Sequence, residues 1–211
     1  MTQDERSERS RAAILDAALQ LFSRQGFRGT SIRDVAAKAN VSTGSVYHHF
    51  RDKEELLSTL LEQFWVATEA PEFPMNRALN AGAFPDRVEE FGQAAREVIS
   101  NWRPHIALIY VDVVEFEGLH IRKLYSTLAD RCETFVDANR SSPALDQLRP
   151  NIRPAAAILV TMRIYIYYYI VELLFGVPNH YGMSSEEAID VITDILRHGL
   201  LRAAPGGPRE S

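Results

Sequence analysis

The sequence predicts an all-α protein: an N-terminal three-helix unit followed by a larger helical body. Three observations predict it. Apolar residues recur at three- and four-residue spacing along most of the chain, as in Ile14, Leu15, Ala18, Leu21 and Phe22, and again in Leu56, Leu57, Leu60, Leu61 and Phe64. Two very short periodic runs lie either side of a single turn between Thr30 and Phe50. The composition, 46% hydrophobic and 24% charged over 211 residues, is that of a globular chain long enough for one large or two small cores.

In chain order, Ser7 or Ser10 is expected to cap a first helix running to about Gln25, with Gly26 ending it. Thr30 offers a hydroxyl to the free N–H groups of a second helix, whose buried stripe is Ile32, Val35, Ala36 and Ala39. Asn40 falls where the backbone must enter the left-handed region, which Asn does at little cost. Val41 plugs the turn and Ser42 caps a third helix, with Val46 and Phe50 facing inward. Asp52 and Glu55 have capping-box spacing at the start of the next helix. From Ala70 to Pro85 the chain holds Pro71, Pro74, Gly82 and Pro85 without a steady period, which predicts a linker or mobile loop. Helical spacing resumes from Asp86 to about Trp102, from His105 to Phe116, and from His120 to about Asn139. Ser141 to Pro154 is expected to be loop. Arg153 to Phe175 is the most apolar helix, and Ser184, with Glu187 three residues on, caps a last helix reaching about Ala203. Residues 205–211 are expected to be a disordered tail.

The exposed side of the third helix, Thr43, Gly44, Ser45, Tyr47 and His48, is small, hydroxyl-rich and aromatic. Small residues let a helix approach base edges closely, and hydroxyl, phenol and imidazole groups bond phosphates or bases. Charge distribution agrees: residues 1–53 carry 9 Lys+Arg against 6 Asp+Glu, a net +3, while residues 54–211 carry 14 against 22, a net −8. The basic excess lies with the short helices, and the acidic remainder would be repelled by a polyanion. With Thr30, Arg33, Ser42 and Lys53, these five residues form the candidate double-stranded DNA contacts. Lys53 is either a phosphate ligand or a solvated lysine, and the anion-attracting helix start beside it favours the phosphate.

From Thr30 to Leu56 the run T-S-I-R-D-V-A-x-x-A-N-V-S-x-G-S-V-Y-x-H-F-x-D-K-E-E-L resembles the TetR family of transcriptional regulators almost position by position. Asn40 stands where that family usually has Gly, and His49 where Tyr or Trp is commoner. The resemblance implies a helix-turn-helix DNA-binding domain over residues 1–52 and an effector-binding and dimerisation domain over 53–204. It implies a cytoplasmic homodimeric regulator, a repressor in most such proteins, released from operator DNA by a small hydrophobic or aromatic effector. In similar proteins the helices carrying Phe91, Trp102, His105, Ile109, Phe116, Tyr125 and Leu128 surround the effector cavity, and Tyr165 and Tyr168 join them as phenols suited to an amphipathic ligand. Core packing is the default reading of those tyrosines.

The helix from Arg153 to Phe175 is apolar on two faces. Ile158, Met162, Ile166, Tyr169 and Leu173 make one stripe; Val160, Ile164, Tyr168, Val171 and Phe175 make the other. One covers the domain's own core and the other needs a partner. The first stripe, with Ile189, Ile192 and Leu196 of the last helix, is the expected interface with a second copy.

No nucleotide, hydrolase or zinc-protease motif is present, so no catalytic residue, cofactor or metal is expected. The nearest enzyme-like group is Asp112, Glu115, Glu117 and His120, which would serve the alternative reading of a small-molecule enzyme. The single Cys132 forms no intrachain disulfide. Arg163 and Glu172 interrupt the most apolar segment, from which no membrane span is expected.

Overall fold

The computed structural model describes residues 2–82 and 84–201. Among these the chain is helical, with one isolated antiparallel bridge between Leu148 and Leu201. By packing it divides into two compact units, Met1–Glu69 with Trp102–Leu124, and Ala70–Asn101 with Tyr125–Ser211. The expected boundary after residue 52 therefore falls inside the first unit, because the following helix and a later one pack with the N-terminal bundle.

In the first unit α1 spans Gln3–Gln25. Its cap is Thr2, not Ser7 or Ser10: Thr2 Oγ1 accepts from the Glu5 N–H at 3.2 Å, and the Glu5 carboxylate accepts from the Thr2 N–H at 2.8 Å. This reciprocal box lets the helix start one turn or more earlier than the apolar pattern suggested. Gly26, at φ 79°, ends it. Helix α2 is Ile32–Ala39 and α3 is Thr43–His49. The cap of α2 is Ser31, boxed with Asp34, which corrects the expectation for Thr30. Asn40 adopts φ 55°, ψ 44°, the left-handed turn its side chain type foretold. Helix α4, Lys53–Glu69, starts with Asp52 accepting from the Glu55 N–H at 2.8 Å, while Glu55 reaches back to Arg51 N–H rather than to that of Asp52. Helix α7, Arg103–Phe116, begins with Pro104 in its first turn, where a missing N–H costs nothing. It ends through Glu117 and Gly118, both at positive φ. Ile14, Ala18, Phe22, Val35, Val46, Leu56, Leu60 and Leu61 form the buried centre.

In the second unit the stretch read as a linker contains α5, Pro74–Asn80, which buries Met75, Ala78 and Leu79. Its proline sits in the first turn, so it starts a helix instead of breaking one. Helix α6 is Glu89–Asn101, and α8, Ile121–Ala138, begins in the first unit and continues into the second. A four-residue helix, α9, Pro143–Asp146, interrupts the expected loop for the same reason. Helix α10 is Pro154–Tyr169, continued by a π-helical turn over Ile170–Leu174 that sequence periodicity did not show. Helix α11 is Ser185–Leu200, with the predicted Ser184–Glu187 capping box in place. Gly92 lets α6 meet α10: a Cβ there would lie 3.2 Å from the Tyr165 ring. The stretch Pro154–Leu174 is long and apolar enough to cross a membrane, with mean hydropathy 1.5, so Arg163 and Glu172 do not exclude a span by composition. One side of it packs in the unit's core, where Ile158, Tyr165 and Tyr168 are buried, while Val160 and Tyr167 are exposed. The expected disordered tail lies outside the described residues.

Candidate nucleic-acid interface

Helix α3 is held from behind. Val46 and Phe50 are buried, and the Arg11 guanidinium of α1 lies 5.2 Å from the centre of the Phe50 ring. The Ser42 hydroxyl accepts from Ser45 N–H at 3.1 Å, fixing the helix start, and the Ser45 hydroxyl meets that of Ser10 at 3.3 Å. These contacts leave Gly44, Tyr47 and His48 exposed, Tyr47 at 56%, with Thr43 and Ser45 half-buried beside them. Gly44 has an ordinary backbone, and a Cβ there would meet only the Ser42 hydroxyl at 3.7 Å. Nothing inside the protein requires glycine at that position. Burial, then the neighbouring His48 and Arg11, hold His49 below its ordinary value of 6.5, so this imidazole favours its neutral form.

The other expected DNA contacts divide. Arg33 is exposed on α2 and Ser42 on the turn. Thr30 is buried, its hydroxyl donating to the Gly26 carbonyl at 2.9 Å and accepting from Gln25. Lys53 is also committed internally: Nζ donates to the carbonyls of Phe27 at 2.7 Å and Thr30 at 2.8 Å, 4.1 Å from the centre of the Phe27 ring. Its spacing in the sequence identified a cation at a helix start but could not show which oxygens it meets. Two roles were missed. Arg11, whose place early in α1 suggests a solvated basic end or a nearby phosphate, lies on the ring of Phe50, and Glu115, far along the chain and expected only within the enzyme-like group, accepts with its carboxylate from Phe27 N–H at 2.9 Å and Arg28 N–H at 2.8 Å.

That second role disperses the enzyme-like cluster. Asp112 is fully buried and caps α8, accepting from the N–H groups of His120 at 3.1 Å and Ile121 at 2.9 Å, with His120 Nδ1 at 2.6 Å. Glu115 turns to the α1–α2 loop, and Glu117 is exposed at φ 54°. The Asp112 and Glu115 carboxylates are each engaged with backbone N–H groups in place of a shared site.

The residues expected around an effector fall in both units. In the first, Trp102 and His105 lie against Phe64, and Phe116 lies against Phe27 and His120. Ile109 is half-buried. His105 also borders a cleft of about 290 Å³ lined by Leu15, Leu19, Leu60 and Gln63. In the second, Phe91 is buried, Leu128 half-buried, and Tyr125 exposed beneath the Arg163 guanidinium at 5.4 Å. The Tyr165 hydroxyl pairs with Thr193 at 2.7 Å, and Tyr168 packs against Tyr169, His180 and Tyr181. Thr161 Oγ1 is buried without a hydrogen-bond partner, and Tyr168 Oη and Glu172 Oε2 are buried without one of good geometry, the Tyr168 hydroxyl lying beside Ser185 and Glu172.

Part of the stripe expected at the interface is covered within the unit: Ile158, Tyr169, Ile192 and Leu196 are buried, Met162, Ile166, Leu173 and Ile189 are half-buried, and Tyr168 of the other stripe is buried as well. The contact with α6, at Gly92, selects that side. The open apolar face carries Val160 and Tyr167 of α10, 50% and 61% exposed, and Val191 and Ile195 of α11, 44% and 64% exposed. Periodicity gave both stripes but not which one faces α6.

The family model for bacterial regulatory proteins of the tetR family matches residues 14–60. The transcriptional repressor KstR2 of Mycobacterium tuberculosis is 31% identical over 124 residues, covering 57% of this chain and 58% of that protein. The transcriptional regulator BetI of Burkholderia ambifaria is 31% identical over 141 residues, covering 61% of this chain and 69% of that protein. The solved structure of the ketosteroid transcriptional regulator KstR2 of Mycobacterium tuberculosis superposes with a TM-score of 0.62 at 19% identity, over 92% of this chain and 95% of that one. At that identity the superposition carries the fold alone. The chain spans 58% of the length of the KstR2 repressor it matches.

Proposed function

We propose, from the premise that the chain belongs to the TetR family, that it is a homodimeric DNA-binding transcriptional repressor released from its operator by a small hydrophobic or aromatic effector. The observation that carries the reading is the outer face of α3. Gly44, Tyr47 and His48 stand in solvent on a helix braced from behind, and Gly44 is small with no internal need to be. A surface glycine costs helix stability, so close approach by an external partner explains it. Thr43 and Ser45 would read base edges, with Arg33, Ser42, Tyr47 and His48 meeting the backbone. Thr30 and Lys53 drop out of this set, their polar groups being engaged inside the protein.

The apolar face of Val160, Ile164, Tyr167, Val191 and Ile195 supports a second copy as the partner there. A two-fold pair presents two α3 helices, and binding to successive major grooves needs them about 34 to 36 Å apart. An effector acts by preferring a dimer with a different spacing, and its differential affinity sets the whole effect. The buried hydroxyl of Thr161 supports the second unit as its site, because such groups rarely stay unpaired. The relative named a repressor supports the sign of control.

The test is fluorescence anisotropy of duplexes tiling the upstream region of the encoding gene. Binding whose affinity falls steeply with added salt is expected, since phosphate neutralisation releases counterions. Absence of any salt-sensitive duplex affinity rejects the reading. Mass spectrometry of molecules released from the purified protein then identifies the effector.

A further inference from the structure

The α1–α2 loop of the first unit is gripped from two sides. Its N–H groups are held by α7: the Glu115 carboxylate accepts from Phe27 at 2.9 Å and Arg28 at 2.8 Å, and its side chain is only 14% exposed. Its carbonyls are held by α4: Lys53 Nζ donates to Phe27 at 2.7 Å and to Thr30 at 2.8 Å. The Phe27 ring is wedged between Phe22, centroids 5.4 Å apart, and Phe116, 4.8 Å. Gly26, at φ +79°, is the opening through which the carboxylate reaches the loop, since a Cβ there would lie 2.7 Å from Glu115 Oε1. The next residue after this gripped segment, Ser31, is the cap of α2.

We infer that Glu115 is a positioning residue for DNA recognition: with Lys53 it clamps residues Phe27 to Thr30 and so fixes α2 and α3 on the end of α7. This rests on the reading of function above and deepens it. Hydrogen bonds to an ionised carboxylate or ammonium are the strong ones, and here each ion takes two backbone groups of one short loop. The chain enters α7 directly from the second unit, at Asn101–Trp102, so a displacement of α7 reaches the reading helices through the Glu115 side chain as well as along α4. Phe116, the neighbouring residue, makes the apolar half of the same contact. The clamp therefore gives α4, which leaves this bundle, and α7, which returns to it, each its own hold on the segment preceding α2.

The experiment uses the full chain and a duplex selected by the parent protein from a random-sequence pool. Glu115→Ala is measured for duplex affinity and for amide hydrogen exchange residue by residue. A loss of affinity of about tenfold is expected, with exchange at Phe27 and Arg28 faster by about tenfold or more and exchange in α10 unchanged. Glu115→Gln keeps the shape and one acceptor oxygen, so it should recover part of both, and it carries the same test if the alanine chain does not fold. Lys53→Met, which keeps the stem and removes the donors, should reproduce the loss. Parent-like affinity in Glu115→Ala overturns the inference, as does exchange that rises equally in α10, which would mark a general stabiliser. A parent protein that selects no duplex sinks the functional reading itself, a result distinguishable from failure of the clamp alone.

Discussion

The outward face of α3 and the outward face of α10 and α11 are both exposed, yet they are opposites in chemistry. On α3 the solvent meets Gly44, Tyr47 and His48; on α10 and α11 it meets Val160, Tyr167, Val191 and Ile195. The first gains by contacting a hydrated, charged partner without burying much hydrocarbon. The second gains only when water is expelled, at roughly 25 cal/mol per Å² of apolar surface covered. Exposure marks both as unfinished surfaces, and side-chain chemistry assigns each its kind of partner.

The sharpest way to break that contrast is to place a charge on either side of α11. Ile192→Asp buries an unpaired carboxylate, because Ile192 is 6% exposed, and should cost about 3 to 5 kcal/mol and unfold much of the second unit in a urea titration. Ile195→Asp, three residues on, should leave the melting temperature of the monomer fold near that of the parent and yield monomers in analytical ultracentrifugation. Intact dimers in that variant would remove the open face from the interface. On α3, Gly44→Ala should raise helix stability by about 0.5 to 1 kcal/mol while weakening duplex binding by about tenfold, a divergence read by thermal melting beside anisotropy. Tyr165→Phe, which strips the partner from the buried Thr193 hydroxyl, should cost about 1 kcal/mol in urea without touching DNA affinity.

The smallest effects are those of pH. Burial holds His105 below its ordinary value of 6.5, so the folded state favours the neutral ring; stability is full above 6.5 and is lost as pH falls through the depressed folded value. His105→Gln should flatten that slope in urea midpoints taken across the window. Asp34 is held below 3.8 chiefly by the Ser31 hydroxyl, and Asp52 chiefly by the Glu55 N–H. Their capping contributions are complete above that value and fade as pH falls beneath it, and Asp34→Asn should abolish the part due to α2, measured by helical circular dichroism.

Much of the first unit was legible because its signals are local. Asn40 in the left-handed region, Ser42 as a cap and Val46 and Phe50 as the inward pair each follow from neighbours within a few positions. What escaped is long-range. Glu115 and Phe27 lie 88 positions apart, and no periodicity links them. Lys53 carried the right charge in the right turn, but whether it faces phosphate or carbonyl depends on where the loop before α2 folds back. In the second unit the apolar residues of α10 were recognised as two stripes, and their assignment required knowing which side α6 occupies, which Gly92 against Tyr165 decides. Pro74 and Pro143 misled because proline ends a helix from within but opens one from the first turn, and spacing alone does not distinguish the two.

The π-helical turn at Ile170–Leu174 has a consequence for the second unit's architecture. There the Phe175 N–H bonds the Ile170 carbonyl at 2.9 Å, so the backbone carries one more residue per coil than the helix before it. Excising a single residue ahead of Glu172 in that turn would restore regular winding and shift Glu172 around the axis. Glu172 would then be carried away from Ser185, uncoupling the end of α10 from the start of α11. That one surplus position is thus the gear tooth that sets the angular phase between the two helices.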